Sequence, residues 1–325
     1  MLLRVCKNEI YIIYIIYINY INKLYKMINL ESLEYPYYFY TIQNKDIKDD
    51  FEELKQNKEK RVKDKNSLLT FKINYMKNLD LYKLTDFFSE DVRVKCNFKD
   101  KISPYQFYQN SKYFKKDIDI QYEKIDDFIY KNSKICSNFP ITIALEVYRC
   151  FGAKKVLDFS SGWGDRLIAA MAYGCEYTGV DPNEDMKDKY IDMIDFFNRS
   201  HNKYKVYTQG FETFKIKKNY YDLVFTSPPF FDLEVYSQDD TQSIQKFHSL
   251  EEWKRGFMFM SIKKSKESLV EGGYLALYIS DFYQTKYVRD TIIYAKSIGL
   301  EYKGYLSWLG ERYPKKIFVW VKHTS

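Results

Sequence analysis

Lys155-Val-Leu-Asp158-Phe-Ser-Ser-Gly162-Trp-Gly164-Asp165 is the stretch on which the fold turns. A short apolar run ends in an acid, two glycines follow one residue apart, and a helix-like segment Asp165–Tyr173 closes on Gly174. That reads as strand, turn and helix. Glycines in such a turn let the backbone come close to a ligand, and the first turn of the helix offers free N–H groups. One Gly-x-Gly with no third glycine makes a poor pyrophosphate cradle. An acid at the mouth of the loop attracts an ammonium group instead. Asp158, Ser160, Gly162 and Gly164 are therefore expected to meet a zwitterionic amino-acid moiety, the competing reading being that Asp158 is a structural turn residue.

Working outward, strands and helices alternate. Glu176–Val180, Tyr204–Thr208, Tyr221–Thr226 and Tyr274–Ile279 read as strands, with helices at Glu184–Arg199, around Leu250–Val270 and at Lys286–Ser297. Two last strands, Tyr302–Trp308 and Ile317–Lys322, are joined through Gly310 and Pro314. The alternation predicts a doubly wound α/β fold whose sheet has seven strands and is mostly parallel. The closing strand pair adds an antiparallel C-terminal strand, which separates the topology from an ordinary dinucleotide-binding fold.

Three more clusters carry chemistry. Thr178-Gly-Val-Asp181-Pro182-Asn183 ends the second strand with an acid 23 positions after Asp158, well placed to accept from both hydroxyls of a ribose. Gln209-Gly210-Phe211-Glu212 follows the third strand, where an adenine would lie against Phe211 and Glu212 would orient the loop. Most specific is Tyr221–Thr226 running straight into Ser227-Pro228-Pro229-Phe230. Two prolines cannot continue a sheet, so they fix a rigid corner at its carboxyl edge. Their carbonyls have no ladder partners and can accept from a substrate N–H₂, while Phe230 offers a flat face for stacking.

In order and residues the chain resembles class I S-adenosylmethionine-dependent methyltransferases, specifically the amino-methylating DNA methyltransferases with their (Asp/Asn/Ser)-Pro-Pro-(Tyr/Phe) loop, here Ser227-Pro228-Pro229-Phe230. The serine variant looks like the cytosine-N4 subgroup; Asp or Asn is commoner among adenine-N6 enzymes. The likeness covers about Ser137 to Lys322. It is similar, too, to a phage and large-DNA-virus group with Asn138-Phe139-Pro140 before the first strand and an extended loop reaching Tyr236-Ser237. The resemblance implies S-adenosyl-L-methionine as cofactor, a nucleic acid (DNA ahead of RNA) as partner, and a methionine pocket to which Ser137 and Asn138 contribute. Two features depart from the family: the loop at Asp158 is poorer in glycine, and no large target-recognition domain is evident. The same loop serves enzymes acting on RNA bases and on protein glutamine amides, and a catalytically silent binding subunit is the reading from a different class.

The remaining sequence sets bounds. A net charge of +7 suits a polyanionic partner but is modest. With Tyr at 33 and Phe at 24, aromatic residues reach 19%, so single tyrosines are discounted as signals. Cys6, Cys96, Cys136, Cys150 and Cys175 are scattered without a CxxC pair, and three histidines lie far apart, so neither a metal site nor a disulfide framework is expected and an intracellular compartment is. Ile10–Ile18 is an uninterrupted Ile/Tyr run, too short to span a bilayer of about 20 helical residues. The expected organisation is an apolar tail over 1–30 that translation from Met27 would remove, a mainly helical accessory region over 31–135, and a catalytic domain over 136–325. Lys263, Lys264 and Lys266 could meet phosphates or form a solvated helix face; Asp232 could accept a proton or sit on a surface turn; Trp253 is expected to pack.

Overall fold

The structure is a computed structural model describing residue 35 and residues 42–62, 67–72, 81–99, 101–110, 129–237, 239–309 and 314–323. The apolar run at 10–18 lies outside the described residues, as does Gly310.

Eleven strands occur among the described residues: β1 (Lys60–Val62), β2 (Leu69–Lys72), β3 (Asn97–Phe98), β4 (Lys155–Asp158), β5 (Glu176–Asp181), β6 (Tyr204–Thr208), β7 (Tyr221–Thr226), β8 (Glu234–Val235), β9 (Leu269–Tyr278), β10 (Leu300–Leu309) and β11 (Pro314–Lys322). Nine form one sheet in the order β1-β2-β10-β11-β9-β7-β4-β5-β6. From β6 to β9 all neighbours run parallel, and β11 inserts antiparallel between β9 and β10. Seven strands are thus those of the expected doubly wound sheet. The other two, β1 and β2, come from the N-terminal region, where the sequence suggested mainly helix; β2 extends the edge by pairing parallel to β10.

The strand sequences explain the layering. In β4, β5 and β7 nearly every residue is buried, as a parallel sheet covered on both faces requires. Successive side chains feed opposite cores: Leu223 and Phe225 join one cluster, Val224 the other, and in β9 Ala276 opposes Leu275 and Leu277. The first face is covered by α1 (Asn44–Gln56), α2 (Lys83–Arg93), α4 (Ile141–Phe151), α5 (Asp165–Tyr173) and α6 (Lys187–Phe197); α3 (Pro104–Asn110) lies outside that layer, against Tyr35. After the four-residue α7 (Ser243–Lys246), a long helix, α8, covers the second face. It runs from Leu250–Trp253 through a wider π turn at Lys254–Phe259 into Met260–Ser268, and α9 (Val288–Ser297) packs beside it. Ser249 starts α8 with a capping box, its hydroxyl accepting from the Glu252 N–H while the Glu252 carboxylate accepts from the Ser249 N–H. Trp253 is fully buried, as expected of a packing residue.

All the parallel strands present their carboxyl ends on one edge, with the order turning between β4 and β7. In open α/β sheets the crevice outside the strands' carboxyl ends at such a turning point is where ligands bind.

Candidate active site

A cleft of about 620 Å³ opens at that edge. Its walls include Ser137 and Asn138 from the segment before α4, Ser160 and Gly162 from the glycine loop, and Asp181, Pro182 and Asn183 from the end of β5. Gly210 and Phe211 follow β6, and all of Ser227, Pro228, Pro229 and Phe230 follow β7. The predicted residues thus converge on one space, with two exceptions.

Asp158 is the first. It does not line the cleft and has no exposure. Its carboxylate takes Arg166 Nε at 2.7 Å, the Tyr177 hydroxyl at 2.7 Å and the Ser160 N–H at 3.2 Å. Burial works against the Arg166 charge, but Asp158, Tyr177 and Tyr148 together offset it and hold the guanidinium pKa above its ordinary value. A fully buried carboxylate needs such a counter-ion, and this one has it beneath the loop. As the acceptor for a ligand ammonium, Asp158 is therefore corrected. Arg166 was the missed residue, although an arginine in the first turn of the helix after the acid was there to be read. Gly164 is the second exception. It caps α5 at φ +96°, and a Cβ there would stand 2.5 Å from Met193 Sδ, so turn and packing demand it.

Asp181 sits where expected. Its oxygens accept from the Gly162 N–H at 2.8 Å and the Asn183 N–H at 3.1 Å, joining the end of β5 to the glycine loop. A carboxylate has about four acceptor positions, so capacity remains on the cleft side. Burial pushes its pKa up to about 6, against the lowering effect of the two N–H donors. Beyond it, Phe211 stacks on Phe159 with centroids 5.0 Å apart. Glu212 lines the same wall, and its Oε1 is buried with no hydrogen-bond partner, Lys246 Nζ lying 3.8 Å away. A Cβ on Gly210 would come within 2.5 Å of Glu212 Oε2, so glycine keeps that space open.

Lys264 is no phosphate contact: its ammonium bonds the carbonyls of Phe211, Glu212 and Phe214 at 2.6, 3.0 and 2.6 Å and fixes this loop from below. Lys266 likewise holds the Ile298 carbonyl.

The diproline corner is built from both sides. Phe230 packs edge-on to Tyr278 of β9 at 5.5 Å, and Tyr278 in turn on Trp308 at 5.0 Å, giving an aromatic wall. After the corner, Phe231 takes a left-handed φ of +51°, and the chain enters β8, which pairs antiparallel with β3 from the N-terminal region. Asp232 is ion-paired to Lys99 at 2.8 Å and does not line the cleft, so it is not the proton acceptor.

The N-terminal region also buttresses the cofactor side. Asp165 accepts from Thr85 Oγ1 at 2.7 Å, the Phe139 N–H at 3.0 Å and Asn138 Nδ2 at 3.4 Å. Asn138 donates as well to Asp86, which Arg93 grips at 3.0 and 2.6 Å. Burial raises the Asp165 pKa despite these donors.

Among the described residues no cluster of His, Cys, Asp and Glu could hold a metal ion, and no helix is long and apolar enough to cross a membrane.

No protein-family profile and no curated protein matches the chain. Solved structures do. A methyltransferase from Pyrococcus furiosus is 14% identical, covering 57% of this chain and 84% of its own at a TM-score of 0.41. Magnesium protoporphyrin IX methyltransferase from Synechocystis, with SAM bound, is 17% identical over 56% of this chain and 77% of its own, TM-score 0.42. TrmN from Thermus thermophilus is 16% identical over 57% of this chain and 49% of its own, TM-score 0.39. The fold rests on the strand order, and the chemistry of the cleft on its residues.

Proposed function

We propose that this chain is an S-adenosylmethionine-dependent methyltransferase acting on the exocyclic amino group of a nucleic-acid base, DNA ahead of RNA. One observation carries the reading. The acid ending β5 and the Ser227-Pro228-Pro229-Phe230 corner after β7 line a single cleft at the point where the strand order reverses.

The residues suit the donor. Asp181 retains acceptor positions for two ribose hydroxyls, and the orphaned Glu212 Oε1 would be satisfied by an exocyclic amine on the adenine. When bound, S-adenosylmethionine supplies an electrophilic methyl group on a sulfonium. The protein does the rest by placement. An exocyclic base amine is a poor nucleophile because its lone pair is delocalised into the ring. The Pro228 carbonyl and the Ser227 side chain accept its N–H bonds, favour a pyramidal nitrogen and restore the lone pair. Phe230 stacks on the ring and fixes its plane. Holding the reactants in line accounts for much of the rate. The amine proton leaves to water, directly or relayed through the Ser227 hydroxyl. In a duplex the base must first be turned out of the stack; a single strand avoids that cost.

Purified protein, incubated with methyl-labelled S-adenosylmethionine and separate DNA, RNA and protein pools, decides the matter by mass spectrometry. N4-methylcytosine or N6-methyladenine in DNA is expected, lost in Ser227→Ala/Pro228→Ala. Label in RNA bases alone would reassign the polymer, and label on glutamine alone would remove nucleic acid altogether.

A further inference from the structure

We infer that Glu234, rather than either strand-end acid, is the carboxylate that receives the ammonium group of the donor's amino-acid moiety. This rests on the methyltransferase reading.

With Asp158 committed to Arg166, Tyr177 and Ser160 beneath the loop, the amino-acid end of the cleft needs another acid. Asp181 is engaged by the glycine loop and faces the ribose position, and Glu212 lies beside Phe211 at the adenine end. Asp165 is fully buried and takes Thr85, Asn138 and Phe139. Glu234 remains. It lines the cleft, is 8% exposed, and sits on β8 six residues beyond Pro228.

Two donors aim it. The Ser137 N–H meets Oε1 at 3.0 Å, and the Tyr236 hydroxyl meets Oε2 at 2.5 Å. Both place Glu234 at the amino-acid end. Ser137 begins the segment that leads through Asn138 to Asp165 at the start of α5, and Tyr236 packs edge-on against Trp163 of the glycine loop at 5.7 Å. Each oxygen accepts one hydrogen bond and keeps room for another, so a three-donor ammonium group can engage the carboxylate without displacing its supports. Because Glu234 follows the diproline corner, donor binding would also tie down the loop that holds the acceptor base.

Calorimetry with three probes tests this: S-adenosylhomocysteine, its deaminated analogue and 5′-methylthioadenosine, which lacks the amino-acid end. A charge-assisted hydrogen bond predicts that Glu234→Gln weakens S-adenosylhomocysteine on the order of 10- to 100-fold. The variant should bind methylthioadenosine like wild type and the deaminated analogue at least as well as wild type does. Tyr236→Phe, which frees the carboxylate to turn, should cost S-adenosylhomocysteine a smaller factor and methylthioadenosine nothing. Unchanged S-adenosylhomocysteine binding in Glu234→Gln, or parallel loss of S-adenosylhomocysteine and methylthioadenosine, overturns the inference and leaves the methyltransferase reading standing. Failure of the wild-type protein to bind any of the three overturns that reading itself.

Discussion

The two halves of the cleft are made rigid by different means. On the cofactor side the supports nearest the cleft are close in sequence: Asp158, Ser160 and Arg166 lie within nine residues, and the Gly162 N–H reaches Asp181 across neighbouring strands, while the remote Thr85 reaches only Asp165 behind the glycine loop. On the acceptor side the loop after Pro229 is held from far away. The Lys99 N–H bonds the Leu233 carbonyl at 2.8 Å, the Cys96 thiol bonds the Tyr236 carbonyl at 2.9 Å, and β3 pairs with β8. A donor common to many enzymes can be held by a local motif. A loop that must receive a particular acceptor is shaped by contacts that a different N-terminal region could replace.

The largest test breaks the local half. Arg166→Met leaves Asp158 buried without its counter-ion, and should cost about 3–5 kcal/mol of stability by urea unfolding. Changing both partners, Asp158→Asn with Arg166→Met, should recover part of it, because no uncompensated charge then remains. A loss below about 1 kcal/mol from Arg166→Met would mean that the pair does not hold this half together.

Next, Asp181→Ala should weaken S-adenosylhomocysteine on the order of 100-fold, about 2.7 kcal/mol, through two lost charge-assisted bonds. A change of less than threefold would take the ribose away from this residue.

The same carboxylate gives a test by pH. Its folded pKa near 6 is above the ordinary value, so the folded state holds a proton that the unfolded chain has released. Its contribution to the stability of the unliganded protein is full below about pH 4 and is lost as the pH rises through about 6. Donor affinity runs the other way, since ribose hydroxyls donate best to the ionised form. It should fall by up to about tenfold per unit below pH 6, and the fall should vanish in Asp181→Asn.

The smallest effect sharpens the long-range half. Lys99 and Asp232 are each about one-third exposed, so Lys99→Ala should cost under about 1 kcal/mol, read as a small shift in the urea midpoint. A loss above about 2 kcal/mol would show that the strap depends on this ion pair rather than on backbone pairing.

Much of the catalytic layer was legible because its signals are local and periodic. The strands at 204–208 and 221–226 fall on the residues their apolar runs mark, as does the helix at 165–173. β9 starts five residues before the expected Tyr274, since Leu269 already pairs with Tyr221, the register shifting before Leu223 meets Tyr274. α4 went unmarked: Ile141–Tyr148 is buried throughout, and its polar stripe, Thr142, Glu146 and Arg149, is one residue per turn, too thin to mark a helix in an apolar run. β1 and β2 were hidden for another reason. They are three and four residues long, and an edge pairing with β10, more than 200 positions away, leaves no local trace.

By itself the sequence determined the alternation of strands and helices from Lys155 onward and the identity of the groups at the strands' carboxyl ends, because periodicity, glycine turns and the diproline corner act over a few residues. Only the tertiary structure decided which acids face the cleft. Asp158 and Asp181 each end a strand, but the choice between them lies with Arg166 and Tyr177, which bury one carboxylate, and with the backbone N–H groups that leave the other open. A carboxylate's role follows from its desolvation and its partners, and neither is a property of the chain until it folds.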